Sequence, residues 1–213
     1  FSLYIYKSKM NIKIFNNDLP PDINLSDEKE LAIDCEAMGL VLGRDPLTLI
    51  QIGLKNQQFY LIKLNRENYN APNLQKLLSD EKITFIMHYA RQDALWIKYH
   101  LGTQLKNIFC TKLASKIGRT ASGYHGYKDL VKELCGKDVS KKEQQSDWGN
   151  PDLTDKQIAY AAQDTQYLFE IKEKMIKILE REKRYDLFKN CIKAIPIFVE
   201  MEIAGFRLNT FEH

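Results

Sequence analysis

The sequence has no CxxC pair, no long apolar run and no large excess of charge of one sign. Its cysteines are spaced neither as zinc-ligand pairs nor as a disulfide framework: Cys35, Cys110, Cys135 and Cys191. We therefore expect reduced thiols, no structural zinc and a cytoplasmic protein. No apolar run approaches the roughly 20 residues that a membrane-spanning helix needs. The first residues also lack the pattern of a secretory signal.

The weak net charge limits the class of partner. Lys and Arg number 31 against 28 Asp and Glu, a formal net charge of +3. Proteins that wrap long duplexes through many phosphate contacts usually carry a larger basic excess. If nucleic acid is the partner, this balance favours a short or locally gripped substrate.

The chain is long enough for one domain with a real core. Its 213 residues are 44% hydrophobic and 28% charged, without an internal repeat or low-complexity tract. We assign residues 12–213 to a single domain and residues 1–11 to an N-terminal extension, either natural or left from cloning, with Met10 as a candidate start.

Hydrophobic patterning predicts strands first and helices later. The predicted strands are Ile12–Phe15, Leu31–Glu36, Leu47–Leu54, Gln58–Leu64 and Ile83–Met87. The predicted helices are Pro72–Leu78, Ala90–Leu101, Cys110–Ile117, Tyr127–Cys135, Thr154–Glu182 and Tyr185–Ala204, with a kink or break at Pro196. Thr154 and Gln157 have the form of a capping box. This order indicates an α/β three-layer sandwich.

Acidic residues occur at three separated places in these elements. Asp34 and Glu36 are two apart at the end of an apolar strand, so both point to one face. Asp93 lies at the start of a helix, while Tyr160 and Asp164 share one face of another. Taken singly, each has an ordinary explanation: a turn cap or lysine pair, a helix-dipole carboxylate, or a core tyrosine beside a solvated aspartate.

The combination indicates different chemistry. Four carboxylates without matching local cations, brought to one sheet edge, suit hard divalent cations such as Mg²⁺ or Mn²⁺. Two such ions can activate water and stabilise the leaving oxygen of a phosphodiester.

These motifs resemble a known family. The ordered set D-x-E, His88…Asp93 and Y-x3-D, with the K-x4-DW run Lys142–Trp148, is similar to the tyrosine branch of the DEDD exonucleases, in the ribonuclease D group. Within it, the stretches Ala71–Asp80, Phe109–Lys116 and Gln144–Trp148 resemble the nanoRNase C family. Cys35 and Ala37-Met38 depart from the commoner small polar residues of the first motif.

The resemblance implies an RNase H-like fold with a mixed five-stranded sheet. It implies two-metal hydrolysis from a 3′ end that releases nucleoside 5′-monophosphates, with very short single-stranded RNA, two residues long, as the preferred substrate and DNA as the alternative. Asp34, Glu36, Asp93 and Asp164 would bind the metals, and Tyr160 would orient the attacking water. A homo-oligomer, in the form of an octamer, is also implied.

Further residues are assigned to the substrate by the same resemblance. Met38, Gly39 and Leu40 would line the terminal base, with Leu40 as a wedge between the last two bases; a core role for Leu40 has comparable weight. His88 would contact a phosphate or act as a structural hydrogen-bonder. Trp148 would support the site or stack, and a buried structural role is the alternative. The candidates for capping a 5′ phosphate are Lys112, Lys116, Arg119, Lys128, Lys141 and Lys142.

Three rival functions stay open at this point. The chain could act on longer RNA as ribonuclease D does. It could be a proofreading domain of a family A DNA polymerase, because the segment from Pro196 to Phe206 resembles the entry to the polymerase part. It could also be a non-catalytic nucleic-acid-binding module with the same fold.

Overall fold

One mixed sheet of seven strands runs through the described part of the molecule. The computed structural model describes residues 10–140 and 142–206, and the backbone of residues 4–5. The strands are β1 (Tyr4–Ile5), β2 (Asn11–Asn16), β3 (Glu30–Ala37), β4 (Leu47–Gly53), β5 (Gln58–Lys63), β6 (Thr84–Met87) and β7 (Ile108–Cys110). Their order across the sheet is β1-β2-β5-β4-β3-β6-β7. The pairs β2–β5, β3–β6 and β6–β7 are parallel, and the others are antiparallel.

The expected count of five strands was too low. The five predicted strands correspond to β2 through β6, whereas β1 and β7 were missed. β7 has only three residues, too few for an alternating pattern to be visible. The prediction that Cys110 belongs to the following helix was wrong, because Cys110 ends β7 and its sulfur accepts a hydrogen bond from the Leu113 amide (3.4 Å) at the helix start.

Helices cover both faces of the sheet. They are α1 (Pro72–Leu78), α2 (Ala90–Leu101), α3 (Thr111–Gly118), α4 (Tyr127–Leu130), a π-helical turn (Val131–Cys135), α5 (Asp155–Gln166), α6 (Leu168–Arg181), α7 (Tyr185–Ile192) and α8 (Ile195–Ile203). Leu31 and Ile33 of β3 pack on the side of α1, α2 and α8. Ala32 faces α3, α6 and α7 on the other side. The three-layer α/β architecture is therefore confirmed.

Two predicted long helices are divided. The helix predicted from Thr154 breaks at Tyr167, because the Tyr167 amide donates to the Tyr127 hydroxyl (3.3 Å). The last predicted helix breaks between Ile192 and Ile195, so that Pro196 lies in the first turn of α8, where its missing N–H costs little.

The start of α5 was predicted correctly. Thr154 Oγ1 accepts from the Gln157 amide (3.2 Å), and the Gln157 side chain accepts from the Thr154 amide (2.9 Å). This reciprocal pair satisfies two amides that a helix terminus otherwise leaves unbonded. It fixes where α5 begins, and hence which residues of α5 face the sheet.

Across the residues that the structure describes, none of the helices combines the length and apolar character needed to cross a bilayer.

Candidate active site

The carboxyl end of β3 supplies the first two acidic side chains. The side chains of Ala32, Asp34 and Glu36 point to the same face of β3, because these residues are two apart along the strand. Helices α5 and α6 cover this face. The parallel pairing with β6 covers Glu30 to Ala32. Beyond Ala32, this edge of β3 adjoins the turn that leads from β6 into α2, so the sheet opens beside the two carboxylates.

The turn after β6 brings Asp93 to this opening. Tyr89 adopts a left-handed conformation (φ 64°) and lets the chain turn directly from β6 into α2. Asp93 follows in the first turn of α2 and is 6% exposed. The backbone amide of Cys35 donates a hydrogen bond to its carboxylate. Asp93 is therefore tied to β3 between Asp34 and Glu36.

Helix α5 closes the group from the opposite layer. Carboxylate oxygens of Asp34, Glu36 and Asp164 lie within 4.8 Å of one another. Asp93 lines the same cleft and acts electrostatically on Glu36, although it is not part of that closest trio. Tyr160, one turn before Asp164, hydrogen-bonds to the Asp164 carboxylate through its phenol.

Burial and mutual repulsion disfavour the charged forms of these acids. Desolvation raises the pKa of Asp34 to about 7. Desolvation, followed by the charges of Asp34, Asp164 and Asp93, raises the pKa of Glu36 to about 10. The pKa of Asp93 is also raised well above its usual range, again mainly by burial. Buried carboxylates that repel one another are stabilised by a bound cation.

The donor set fits a hard divalent cation. Its ligands are carboxylate oxygens, which Mg²⁺ and Mn²⁺ prefer. Gln51 of β4, fully buried, lies behind them, with its Nε2 at 3.5 Å from Glu36 Oε1. Asp34, Glu36, Asp93 and Asp164 are thus the residues that could hold metal.

The acidic group lies in a cleft of about 330 Å³. His88 lines the cleft, and its Nδ1 lies 2.9 Å from Thr111 Oγ1. The residue therefore makes a structural hydrogen bond and also faces the cleft, which is compatible with the predicted phosphate contact. Lys112 and Lys128 line the same cleft, and Lys112 Nζ lies 3.9 Å from the centre of the Tyr89 ring. Cations that line an acidic cleft can hold an anionic strand beside the acids.

The remaining basic candidates are placed differently. Lys116, Arg119 and Lys142 do not line the cleft. Arg119 instead donates to Ser115 Oγ (3.0 Å) and pairs with Glu133. Lys141 lies outside the described residues.

The predicted base-contacting residues lie beside the cleft rather than in its lining. Met38, Gly39 and Leu40 follow Glu36 in the loop between β3 and β4. Leu40 is 80% exposed, so the alternative of a core role for Leu40 is wrong. Trp148 is 4% exposed and packs with Tyr160 (ring centres 6.0 Å apart), which fits its alternative as a buried support.

Among the residues near the acids that sequence reasoning missed, two make hydrogen bonds beside them. Tyr127 lines the cleft, and its hydroxyl donates to the Gln163 carbonyl (2.6 Å) beside Asp164. Gln51 contacts Glu36 from the neighbouring strand. A polar residue in the otherwise apolar run Leu47–Gly53 was the available signal for Gln51. Tyr127 gave none, because its position depends on a contact across 36 residues.

Comparison with known proteins identifies the family. Residues 14–180 match the family model described as 3'-5' exonuclease. The chain therefore belongs to the 3′-5′ exonuclease family, as the sequence motifs predicted. The curated relatives that match this region include ribonuclease D proteins.

Individual relatives agree with this assignment. Ribonuclease D of Xanthomonas oryzae pv. oryzae is 31% identical over 138 residues, which cover 65% of this chain and 37% of the relative. The chain thus spans well under half the length of the curated relatives it matches first.

Two solved structures of NrnC from Brucella melitensis match over nearly the whole chain. Each is 36% identical and covers 96% of this chain and 100% of the other. The form with bound Mg²⁺ has a TM-score of 0.88, and the form bound to pGG has a TM-score of 0.89. The nanoRNase C resemblance and the RNase H-like fold are thereby confirmed.

Proposed function

We propose that this exonuclease uses two divalent cations, Mg²⁺ or Mn²⁺, to hydrolyse very short RNA from its 3′ end. Two-residue RNA is its preferred substrate, and nucleoside 5′-monophosphates are its products. The observation that carries the proposal is the trio of carboxylate oxygens from three separated chain positions within 4.8 Å. The pGG ligand of the similar Brucella NrnC supports the short substrate.

Asp34, Glu36, Asp93 and Asp164 would hold the metals. Bound divalent cations lower the pKa of water and stabilise developing charge on phosphate oxygens. The chain contributes by fixing four acidic side chains from β3, α2 and α5 before substrate arrives. Fixed donors need no reorganisation during the reaction.

Tyr160 orients the attacking water. Burial, followed by the nearby charges of Asp164 and Glu36, raises the pKa of the phenol above its ordinary value of 10. The phenol is therefore neutral at pH 7 and acts as a hydrogen-bonding group rather than as a base. Its hydroxyl lies against Asp164, so it reaches the region where the acids converge.

The strand is held by contacts at the cleft mouth and beside it. His88, Lys112 and Lys128, which line the cleft, would contact phosphates. Met38, Gly39 and Leu40 lie at the adjacent loop, where Leu40 projects into solvent and is available to contact bases. A homo-oligomer, in the octameric form, belongs to the same proposal, and measuring the mass of the native particle by light scattering tests it.

The substrate preference is tested by single-turnover rates on RNA of two, three, five and ten residues, each 5′-phosphorylated, with two-residue DNA as a further arm. We expect the highest rate on the two-residue RNA. A flat or rising profile would favour a ribonuclease D-like activity on longer RNA. An Asp34→Asn variant serves as the control for contaminating nuclease.

The metal requirement is tested separately, by titrating Mn²⁺ into protein stripped with chelator. Two binding events that disappear in the Asp34→Asn variant are expected. A single event, or binding that persists in the variant, would contradict the two-metal proposal.

A further inference from the structure

The loop of residues 38–46, between β3 and β4, exposes several apolar side chains close together. Met38 and Val41 are each 47% exposed, and Leu40 is 80% exposed. A single exposed leucine is ordinary on a protein surface, whereas a cluster on one short loop indicates a contact surface. Met38 follows Glu36 by two residues, so the cluster stands at the edge of the sheet that carries the acids.

One buried carboxylate holds this loop together. Asp45 is 7% exposed, and its Oδ2 accepts from the Val41 amide at 2.8 Å. The Leu40 amide also donates to it. Arg44 binds the same carboxylate with two bonds, Nε to Oδ1 at 2.6 Å and Nη2 to Oδ2 at 2.7 Å. Hydrogen bonds from backbone amides to a charged acceptor are among the stronger ones in proteins.

The loop backbone is closed around that carboxylate. A Cβ atom on Gly39 would lie 2.2 Å from Asp45 Oδ2, so a side chain there would displace the carboxylate. Gly43 has a φ of +81°, which favours glycine. The Asp45 amide donates back to the Val41 carbonyl (2.9 Å), and the Met38 amide donates to the Pro46 carbonyl (3.0 Å).

The base of the loop is anchored towards neighbouring segments. Met38 Sδ lies 2.9 Å from Arg66 Nη1, and the Met38 side chain packs against Gly149, where an added Cβ would come within 2.7 Å of it. Leu40 and Val41 therefore project from a loop that is fixed at both its base and its centre.

We propose that Asp45 is a positioning residue for the reaction: by binding the Leu40 and Val41 amides, it fixes the apolar loop on which the bases of a short RNA strand rest. This inference rests on the proposed function. Without the carboxylate the amides of Leu40 and Val41 lose their acceptor, and the loop adopts several conformations. Substrate then has to order the loop when it binds, which weakens binding and leaves the acidic site intact.

The experiment compares steady-state kinetics of the wild type, Asp45→Ala and Asp45→Asn on two-residue and five-residue RNA. For Asp45→Ala we expect KM on two-residue RNA to rise about tenfold, with kcat within about twofold of the wild type. Asp45→Asn keeps one acceptor oxygen, so its KM should lie between that of the wild type and that of Asp45→Ala. Because the proposed function assigns Leu40 to the last bases, both variants should lose part of the preference for the shorter strand.

Asp18 offers a matched control. Its carboxylate likewise accepts backbone amides, from Leu74 (2.8 Å) and Asn73 (3.0 Å), at the start of α1 and outside the cleft lining. Asp18→Ala and Asp45→Ala should both lower the melting temperature. Asp18→Ala should nevertheless leave KM and the length preference unchanged.

The outcomes separate the inference from the function. If the wild type shows no preference for two-residue RNA, the substrate proposal fails whatever the variants do. If the wild type shows it, and Asp45→Ala leaves KM unchanged or lowers kcat alone, the positioning role of Asp45 is overturned. Equal KM changes in Asp18→Ala and Asp45→Ala would show a general loss of stability and overturn it as well.

Discussion

The phenol of Tyr160 hydrogen-bonds to the carboxylate of Asp164, one turn further along α5. The two residues line the same cleft as the acids that β3 and α2 contribute, Asp34, Glu36 and Asp93. Trp148 packs behind the phenol ring (ring centres 6.0 Å apart) and limits the positions that the ring can take. The hydroxyl is thus fixed in place by packing on one side and by Asp164 on the other.

Replacing Tyr160 by Phe removes the hydroxyl and keeps the packing against Trp148. We expect kcat to fall by about 100-fold, the lower end of the effect of removing one positioned hydrogen-bonding group. The affinity for Mn²⁺ should not change, because the carboxylates remain. Rapid-quench kinetics and Mn²⁺ titration measure the two quantities. A loss of metal affinity equal to the loss of rate would place Tyr160 in the metal site instead.

Asp93→Asn should abolish exonuclease activity without harming the fold. Burial and the charge of Asp34 raise the pKa of Asp93, so the neutral amide resembles the protonated acid that the metal-free protein favours. We expect activity to fall by at least about 100-fold, as for disruption of a metal site. The melting temperature in chelator should equal or exceed that of the wild type. Full activity in this variant would remove Asp93 from the ligand set.

The metal-free protein should lose stability as the pH rises. Burial raises the pKa of Asp34 from 3.8 to about 7 and that of Glu36 from 4.5 to about 10. Between the lower and the higher pKa of each acid, the folded state therefore binds more protons than the unfolded state. The stabilisation is complete below about pH 4 and declines progressively as the pH rises; the Asp34 contribution is lost by about pH 7 and the Glu36 contribution by about pH 10.

Thermal melts in chelator at pH 5.5, 7 and 9 measure this loss. Added Mn²⁺ should raise the melting temperature most at pH 9, because ligands must be deprotonated to bind metal. The double variant Asp34→Asn/Glu36→Gln, which lacks the two titrating acids, should show a flatter profile and little metal effect. Identical profiles for wild type and double variant would contradict the assignment.

Local patterns in the sequence predicted the central strands, the start of α5 and the shared face of Asp34 and Glu36. Each depends on neighbours within a few residues: strand alternation for β3, and the reciprocal bonds of Thr154 and Gln157 for α5. Such features survive in the fold because the local and the tertiary preferences agree.

The parts that could not be predicted depend on contacts between distant residues. The break at Tyr167 needs the Tyr127 hydroxyl, 40 positions earlier. β7 is a strand because it pairs with β6, not because its three residues show a pattern. The position of Gln51 against Glu36 follows from the antiparallel register of β3 and β4. Tertiary contacts of this kind override local propensity.

Gln51→Leu should weaken metal binding while sparing the fold. Gln51 is fully buried, its Nε2 lies 3.5 Å from Glu36 Oε1, and its Oε1 has no hydrogen-bond partner in the described structure. Leucine has a similar size and leaves no unpaired polar atom, so stability should change little. Loss of the amide should lower Mn²⁺ affinity by about 10-fold, as for residues that orient metal ligands. Unchanged affinity by calorimetry would show that Gln51 only fills space.

Gly53→Ala should destabilise the protein by forcing α5 away from β4. A Cβ atom at Gly53 would lie 2.8 Å from Thr165 Oγ1 and 3.0 Å from Thr165 Cβ, and Thr165 follows Asp164 directly. Overpacking of this kind costs about 1–3 kcal/mol. Because the shift moves the helix that carries Tyr160 and Asp164, kcat should fall together with the free energy of unfolding. Gly123→Ala is the matched control, since nothing lies within 4 Å of the added atom. Urea unfolding and turnover measured on both variants check the prediction. A fully stable, fully active Gly53→Ala protein would mean that α5 can move away from β4 without cost.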